Sequence, residues 1–413
     1  MKSARNWGRL GMKFDSSSLY NIASTLAGTR YSLFDLASWK NGFAFKQTHF
    51  SESGVPIVKI AELNNGIGST TAYTQQVFSD DVHLKKRDLL FSWSGNPQTS
   101  IDIFRFSLEE GWLNQHIFKV TPKEELVTKD YFFFLMKYLK PHFTQIATNK
   151  QTTGLGHITI ADIKRISVII PSLEIQKAIV AHIKPIDDKI TLNIAINDNL
   201  EQQAQAIFRR ELLRNGELPP NWTTGSLLDI ANYLNGLAMQ KFRPVDGERG
   251  LPVLKIKELR QGFCDYSSEL CSPNIKPEFI VHDGDVIFSW SGSLLVDLWC
   301  GGTCGLNQHL FKVTSDKYPK WFYYAWTAHH LARFVAIAAD KATTMGHIKR
   351  EDLAKAEVII PDTASMERIG GVLEPIYDLI INQRIGNRKL SMLRDSLLPK
   401  LMSGELGVSA IEL

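Results

Sequence analysis

The sequence predicts an α+β protein: two β-rich modules in a pseudo-two-fold arrangement, separated by two long antiparallel coiled-coil helices. Three observations carry this expectation. The chain repeats itself once, with a period of about 190 residues. Each copy opens with short β-branched and aromatic runs broken by Gly, Asn and Asp. Each copy closes with about forty residues in which apolar side chains recur at alternating three- and four-residue steps.

The repeat is ordered along the whole chain. Val58-Lys59-Ile60-Ala61-Glu62-Leu63 returns as Leu254-Lys255-Ile256-Lys257-Glu258-Leu259. Phe91-Ser92-Trp93-Ser94-Gly95 returns as Phe288-Ser289-Trp290-Ser291-Gly292, and LNQHIFKVT (113–121) as LNQHLFKVT (306–314). Gly156-His157-Ile158 and Val168-Ile169-Ile170-Pro171 return at Gly346-His347-Ile348 and Val358-Ile359-Ile360-Pro361. Two long units, each able to hold its own core, make this a duplication and not a solenoid. The segments VPIVKI, DLLFSWS and IFKVT read as strands, as do LPVLKI, DVIFSWS and LFKVT. Helices are expected to begin near Asp130 and Lys320, and Tyr131–Met136 reads as a buried strand or the start of a buried helix. The resulting division is 1–29 as a leading segment, 30–171 as the first module and 172–214 as the first spacer helix. It continues with 215–361 as the second module, 362–406 as the second spacer helix and 407–413 as a tail.

In the first spacer helix the apolar period runs Ile179, Ile183, Ile186, Ile190, Leu200, Ala204 and Ile207. In the second it runs Ile369, Leu373, Ile376, Ile380, Leu390 and Leu397. Both seams turn polar at one place, Asn193 and Asn197 in the first and Gln383 and Asn387 in the second. Polar seam positions cost stability but set register and pairing, so the two helices are expected to pack on each other. Pro185 and Pro375, at equivalent places, predict a bend or a break and restart.

Composition narrows the class. In 413 residues, 44% hydrophobic and 22% charged fit a globular protein of two or three domains, not a disordered or fibrous one. No apolar run nears the ~18 residues a membrane span needs, and no secretory signal is evident. Four cysteines (Cys264, Cys271, Cys300, Cys304) are too few for a disulfide scaffold, which fits a cytoplasmic setting. Their spacing is read as reduced core thiols and not as a zinc site. A net charge of +4 decides nothing about nucleic acid, since phosphate binding needs charge on one face. There is no G-x4-G-K-[ST], G-x-G-x-x-G, G-x-S-x-G or H-E-x-x-H. His116 and His309 have no partner carboxylate or nucleophile recurring in both copies, so neither catalysis nor a cofactor or metal is expected.

Counting Ile186 to Ile207, the rod is about 33 Å long at about 1.5 Å per residue, close to the roughly 34 Å of one B-DNA turn. Two like modules held that far apart would form a two-site ruler. At this point the residues resemble the specificity (S) subunit of type I restriction-modification systems. The resemblance rests on the duplicated module-plus-helix layout, on Ile170-Pro171 followed by Leu173-Glu174-Ile175-Gln176, and on Leu218-Pro219-Pro220-Asn221-Trp222. Leu397-Leu398-Pro399-Lys400-Leu401-Met402-Ser403-Gly404-Glu405-Leu406 and the paired LNQH and GHI segments complete it, spanning nearly all of 30–406. The second helix begins Asp362-Thr363-Ala364-Ser365-Met366-Glu367, away from the family pattern, and Lys85-Lys86-Arg87 faces the unlike His282-Asp283-Gly284.

The resemblance implies a non-catalytic subunit whose two target recognition domains each read one half of a split double-stranded DNA sequence. The helices would set the spacer and dock two methyltransferase subunits, with motor-nuclease subunits joining through the complex. The alternatives are a self-contained DNA methyltransferase or nuclease, or a two-domain assembly scaffold without DNA binding. For DNA contacts the candidates are Ser92, Ser94, Gly95, Asn96 and Gln98 in the first module and Ser289, Ser291 and Gly292 in the second, where a turn can offer hydroxyl and N–H groups to phosphate. Lys150, Thr152 and Thr153, with Lys341, Thr343 and Thr344, precede the GHI segments and suit backbone clamping. Trp93 and Trp290 read as core plugs. Asn114-Gln115-His116 and Asn307-Gln308-His309, identical in both copies, read as scaffold or phosphate contacts, because base readers should differ between half-sites. Readers are expected where the copies diverge, at Gln75, Asn96, Gln98 and Thr99 against Arg260, Gln261, Asn274 and Lys276.

Overall fold

The computed structural model describes residues 20–22, 24–151, 154–213, 218–340 and 346–407. The chain divides into two compact units, Met1–Ile186 with Leu393–Leu413, and Asp187–Met392. This division cuts across the helices: each unit holds one β-rich module and a piece of both long helices.

In the first unit, strands Ala37–Asn41, Ile117–Pro122, Leu89–Ser92 and Asp102–Arg105 form an antiparallel sheet in that order. A second sheet orders Tyr73–Thr74, Val55–Val58, Glu110–Leu113 and His83–Lys85, with its central pair parallel. The run Leu89-Leu90-Phe91-Ser92 is buried throughout. Strand alternation sends Leu89 and Phe91 into one core and Leu90 into another with Ile57 and Trp112. Tyr131–Met136 belongs to a helix, Lys129–Asn149, capped by the Thr128 hydroxyl, and its Phe132, Phe134 and Phe143 fill the larger core.

The second unit repeats the design. Asn232–Asn235, Leu310–Thr314, Val286–Ser289 and Leu295–Leu298 make one sheet; Leu270–Cys271, Leu251–Leu254, Cys304–Leu306 and Ile280–Val281 make the other. Val286 and Phe288 again face one core and Ile287 the other. One strut recurs: Lys119 Nζ reaches Asp88 Oδ2 at 2.8 Å and the His83 carbonyl at 2.9 Å, and Lys312 Nζ reaches Asp285 and Ile280 at the same distances. The segments VPIVKI and LPVLKI stop being strands early. Lys59 and Lys255 end them as N-caps of short helices, with Glu62 and Glu258 accepting the cap N–H.

The long helices span Leu173–Leu212 and Thr363–Ser403. Each runs through its proline unbroken, against the break and restart allowed for. Pro185 and Pro375 lie on exposed faces, where water can satisfy the carbonyl each leaves unpaired. In the first unit Ile179 and Ile183 of one helix share a core with Leu398 and Leu401 of the other. In the second unit Asn193 Nδ2 donates to Asn387 Oδ1 at 2.7 Å, and Arg368 donates to Glu211 at 2.9 Å, so the paired segments run antiparallel. The carbonyl oxygens of Asn197 and Gln383 are buried with no hydrogen-bond partner among the described residues. The seam departs from strict period near its ends, where Phe208 replaces Ile207 and Leu398 replaces Leu397 as the buried residue.

Gln176 is fully buried and locks the first helix to its module. Its amide donates to the Leu126 and Pro171 carbonyls and accepts from Thr128 N–H, all at 2.9 Å. Met366 holds the matching place in the second copy, and that module is clamped elsewhere. Arg384 grips Asp297 with two bonds of 2.7 and 2.6 Å, and Arg388 grips Asp283 with two of 2.7 Å. At the C-terminal end of the second helix, Thr25 N–H donates to the Ser403 carbonyl at 2.7 Å. Gly404 there has φ +78, and a Cβ on it would lie 2.9 Å from Leu26 N.

Candidate nucleic-acid interface

Three repeated motifs converge in each module. In the first, Ser94-Gly95 pairs with Gly156-His157 as a two-stranded ladder, and Ile158 N–H donates to the Trp93 carbonyl at 2.8 Å. Trp93 N–H donates to the His116 carbonyl at 3.3 Å, which joins the LNQH turn to the other two. In the second, Ser291 bridges to His347, Gly292 N–H reaches the Gly346 carbonyl at 3.2 Å, and Ile348 N–H reaches the Trp290 carbonyl at 2.9 Å. The His309 ring nitrogen Nδ1 lies 3.0 Å from Ser291 Oγ.

Two close approaches explain glycines in these motifs. A Cβ on Gly156 would lie 2.5 Å from the Ala147 carbonyl oxygen, and one on Gly346 would lie 2.2 Å from that of Ala338. In both copies the GHI segment crosses the end of a helix at backbone contact.

The indoles do not plug the core. Trp93 and Trp290 are half-buried against it and tied by Nε1–H to Asn41 Oδ1 at 3.1 Å and Asn235 Oδ1 at 2.9 Å. Sequence reasoning missed these two asparagines, although the repeated Asn41-Gly42 and Asn235-Gly236 pairs were a usable signal. Cβ atoms on Gly42 and Gly236 would meet the Asn114 and Asn307 carbonyls at 2.1 and 2.3 Å, so the LNQH turn is stitched to its neighbouring strand by backbone contact.

Several candidate contacts need correction. Ser92, Ser289 and Ser291 are buried, because the strand run that carries the first two faces a core on both sides. The Ser289 hydroxyl donates to the Ser293 carbonyl at 2.9 Å, and the Ser92 hydroxyl has no partner among the described residues. Lys150 is not a free cation: its ammonium pairs with Asp162, whose buried carboxylate caps the helix Ile160–Arg165 together with Thr159. Burial alone would raise the Asp162 pKa, but the bonds from Lys150 and Thr159 outweigh it and hold it below the ordinary aspartate value.

Asn96, Gln98 and Gly292 are exposed, and Ser94 and Gly95 half-exposed. Asn96 Oδ1 accepts from Gln98 N–H at 2.9 Å, which shapes the turn and leaves the Gln98 side chain in solvent. Gln75, Thr99, Arg260, Asn274 and Lys276 are exposed and Gln261 half-exposed. Thr152, Thr153, Lys341, Thr343 and Thr344 lie outside the described residues, as do residues 1–19 of the leading segment and 408–413 of the tail. In the second module a cleft of about 490 Å³ opens beside the motifs, lined by Asn232, Asn235, Trp290, Phe311 and Arg350 among others.

The cysteines are unpaired thiols, three of them buried. Burial pushes the Cys300 thiol up to about 11, so it stays protonated. Among the described residues no group of three or more His, Cys, Asp or Glu is placed to hold a metal ion. No described helix is long and apolar enough to cross a membrane.

Paired modules carrying the same converged turns, with two long helices shared between them, define a tandem-module subunit. Residues 29–202 and 219–388 match the type I restriction modification DNA specificity domain. The specificity subunit of the MjaIX type I restriction enzyme of Methanocaldococcus jannaschii is 24% identical over 322 residues, 72% of this chain and 73% of that one. The EcoBI specificity subunit of Escherichia coli is 21% identical, covering 96% and 91% of the two chains. The crystal structure of the type I restriction-modification S subunit from M. genitalium shares the fold, with a TM-score of 0.53 at 13% identity over 91% of this chain and 96% of that one. The chain belongs to the type I restriction-modification DNA specificity family. It is a specificity subunit and not a catalytic one.

Proposed function

We propose that each β-rich module reads one half of a bipartite double-stranded DNA target, while the long helices set the spacing between halves and dock two methyltransferase subunits. Motor-nuclease subunits join through that complex, which acts in the cytoplasm. The observation that carries this reading is the duplicated convergence of the SWSG, LNQH and GHI turns, surrounded by segments that differ between the copies. Shared turns suit contacts every duplex offers, and divergent neighbours suit base readout. Ser94, Gly95, Asn96, Gln98 and Gly292 remain the contact candidates among the described residues. Ser289 and Ser291 act by holding the turn, Lys150 by pairing with Asp162, and Asn193, Asn197, Gln383 and Asn387 by fixing helix pairing.

Methylome sequencing of a host that expresses the chain with its methyltransferase subunits tests this. Adenine methylation is expected at a split motif, and exchanging residues 215–361 for those of a relative should change one half only. Methylation at continuous sites, or at sites indifferent to the exchange, refutes the two-reader mechanism. Binding of the complex to duplex should also weaken steeply with salt; affinity indifferent to salt would favour the scaffold without DNA contacts.

A further inference from the structure

The modules carry their shared framework to one point and then part. At that point a short helix, Ile60–Asn65 or Ile256–Gln261, opens the divergent segment. The second oxygen of its capping glutamate accepts a hydroxyl from the far side of the loop, Thr71 to Glu62 at 3.1 Å and Ser268 to Glu258 at 3.0 Å. Each helix ends on a glycine at positive φ, Gly66 at 74° and Gly262 at 80°. Both loops therefore leave the framework from one anchor, and only their contents differ. The anchor lies beside the converged turns: a Cβ on Gly292 would stand 3.6 Å from Ile256 Cδ1, and one on Gly95 would stand 3.9 Å from Ile60 Cδ1.

In the second module the loop is a stiff turn. Asp265 Oδ1 accepts from Ser267 N–H at 2.8 Å and from its hydroxyl at 2.6 Å, and Ser268 Oγ accepts from Asp265 N–H at 3.0 Å. Lys257 Nζ braces the turn from below, 2.8 Å from Ser267 Oγ and 3.4 Å from Asp265 Oδ2. At the tip stands Tyr266, 91% exposed. A single exposed apolar residue is ordinary on a protein surface. A ring held in water by a hydrogen-bonded turn, at a place where two modules of one framework diverge, is different. It adds nothing to the core, the turn fixes the backbone that carries it, and a tyrosine has only two side-chain torsions to immobilise on binding. Lys257 is paired with Asp265, and Arg260 is exposed on the same short helix. The first module has Gly68-Ser69-Thr70 in the corresponding stretch and no ring.

We propose that Tyr266 is a base-contacting, specificity-determining residue of the second module, its ring packing on base edges in one half of the target. This rests on the two-reader function proposed above.

The test uses the full chain assembled with its methyltransferase subunits, as wild type, Tyr266→Ala and Tyr266→Phe. Each competes for duplexes altered one base pair at a time across both halves. The alanine variant is expected to lose discrimination roughly tenfold to a hundredfold at one or two base pairs of one half, with the other half and the melting temperature unchanged. The phenylalanine variant keeps the ring and should stay near wild type. Wild-type discrimination by the alanine variant overturns the proposal, as does a loss spread evenly over both halves or a phenylalanine variant as impaired as alanine. A wild-type complex that fails to discriminate duplexes refutes the two-reader function itself, and that failure is visible in the wild-type arm alone.

Discussion

Replacing Arg384 with alanine should unfold the second unit more easily by about 2–3 kcal/mol. The pair with Asp297 is bidentate, at 2.7 and 2.6 Å, with side chains 26% and 19% exposed. Exposed ion pairs contribute about 0.2–1 kcal/mol, and breaking a fully buried pair costs about 3–5 kcal/mol. This pair lies between, nearer the buried limit, because Arg384 acts on both Asp297 and Glu201. Burial raises the Glu201 pKa, Arg384 lowers it and Asp297 raises it again, so loss of the guanidinium leaves two carboxylates facing each other. At about 2–4 °C per kcal/mol for a unit of this size, the melting temperature should fall by roughly 4–12 °C. The discriminating assay is a double-mutant cycle with Asp297→Ala, read by urea unfolding. A coupling energy of about 1 kcal/mol or more is expected. Additive single effects within about 0.5 kcal/mol would refute the clamp, whatever the size of the single losses.

Two further perturbations follow from the packing. Gly346→Ala would put a methyl 2.2 Å from the Ala338 carbonyl oxygen, so a destabilisation of about 1–3 kcal/mol is expected in thermal unfolding; an unchanged melting temperature would mean the segment yields freely. Replacing Asn197 and Gln383 together by leucine removes two buried carbonyl oxygens that have no partner among the described residues, and should stabilise the second unit by about 1–3 kcal/mol in urea titrations. A less stable double variant would mean that those oxygens are satisfied in solution.

The duplication, the strand runs and the two long helices were legible because each is a local pattern repeated at fixed spacing. The polar layer was legible too: Asn193 and Asn387 are among the four polar seam residues, and the structure bonds them to each other across the antiparallel helices. What escaped was set by partners far away in sequence. Lys150 looked like a phosphate ligand because nothing local announces Asp162, and Ser92 and Ser289 looked like loop residues because periodicity cannot tell one buried face from two. Nothing local marks Arg384 and Arg388 as clamps, since Asp297 and Asp283 lie about a hundred residues away. The unlike pair Lys85-Lys86-Arg87 and His282-Asp283-Gly284 held the clue. The second copy has an aspartate where the first has Lys86, and that aspartate is the one Arg388 grips.

The stitch between Thr25 and Ser403 bears on how the chain is made. The first unit draws its core from both ends of the sequence, with Leu398, Leu401 and Met402 packed among residues of the first module and Ile179 and Ile183. The second unit is one uninterrupted stretch. A ribosome therefore delivers everything the second unit needs while the first still lacks its closing helix turn. Folding during synthesis should close the first unit only after Leu398, Leu401 and Met402 have emerged, and until then its apolar seam stays open while the second module is made.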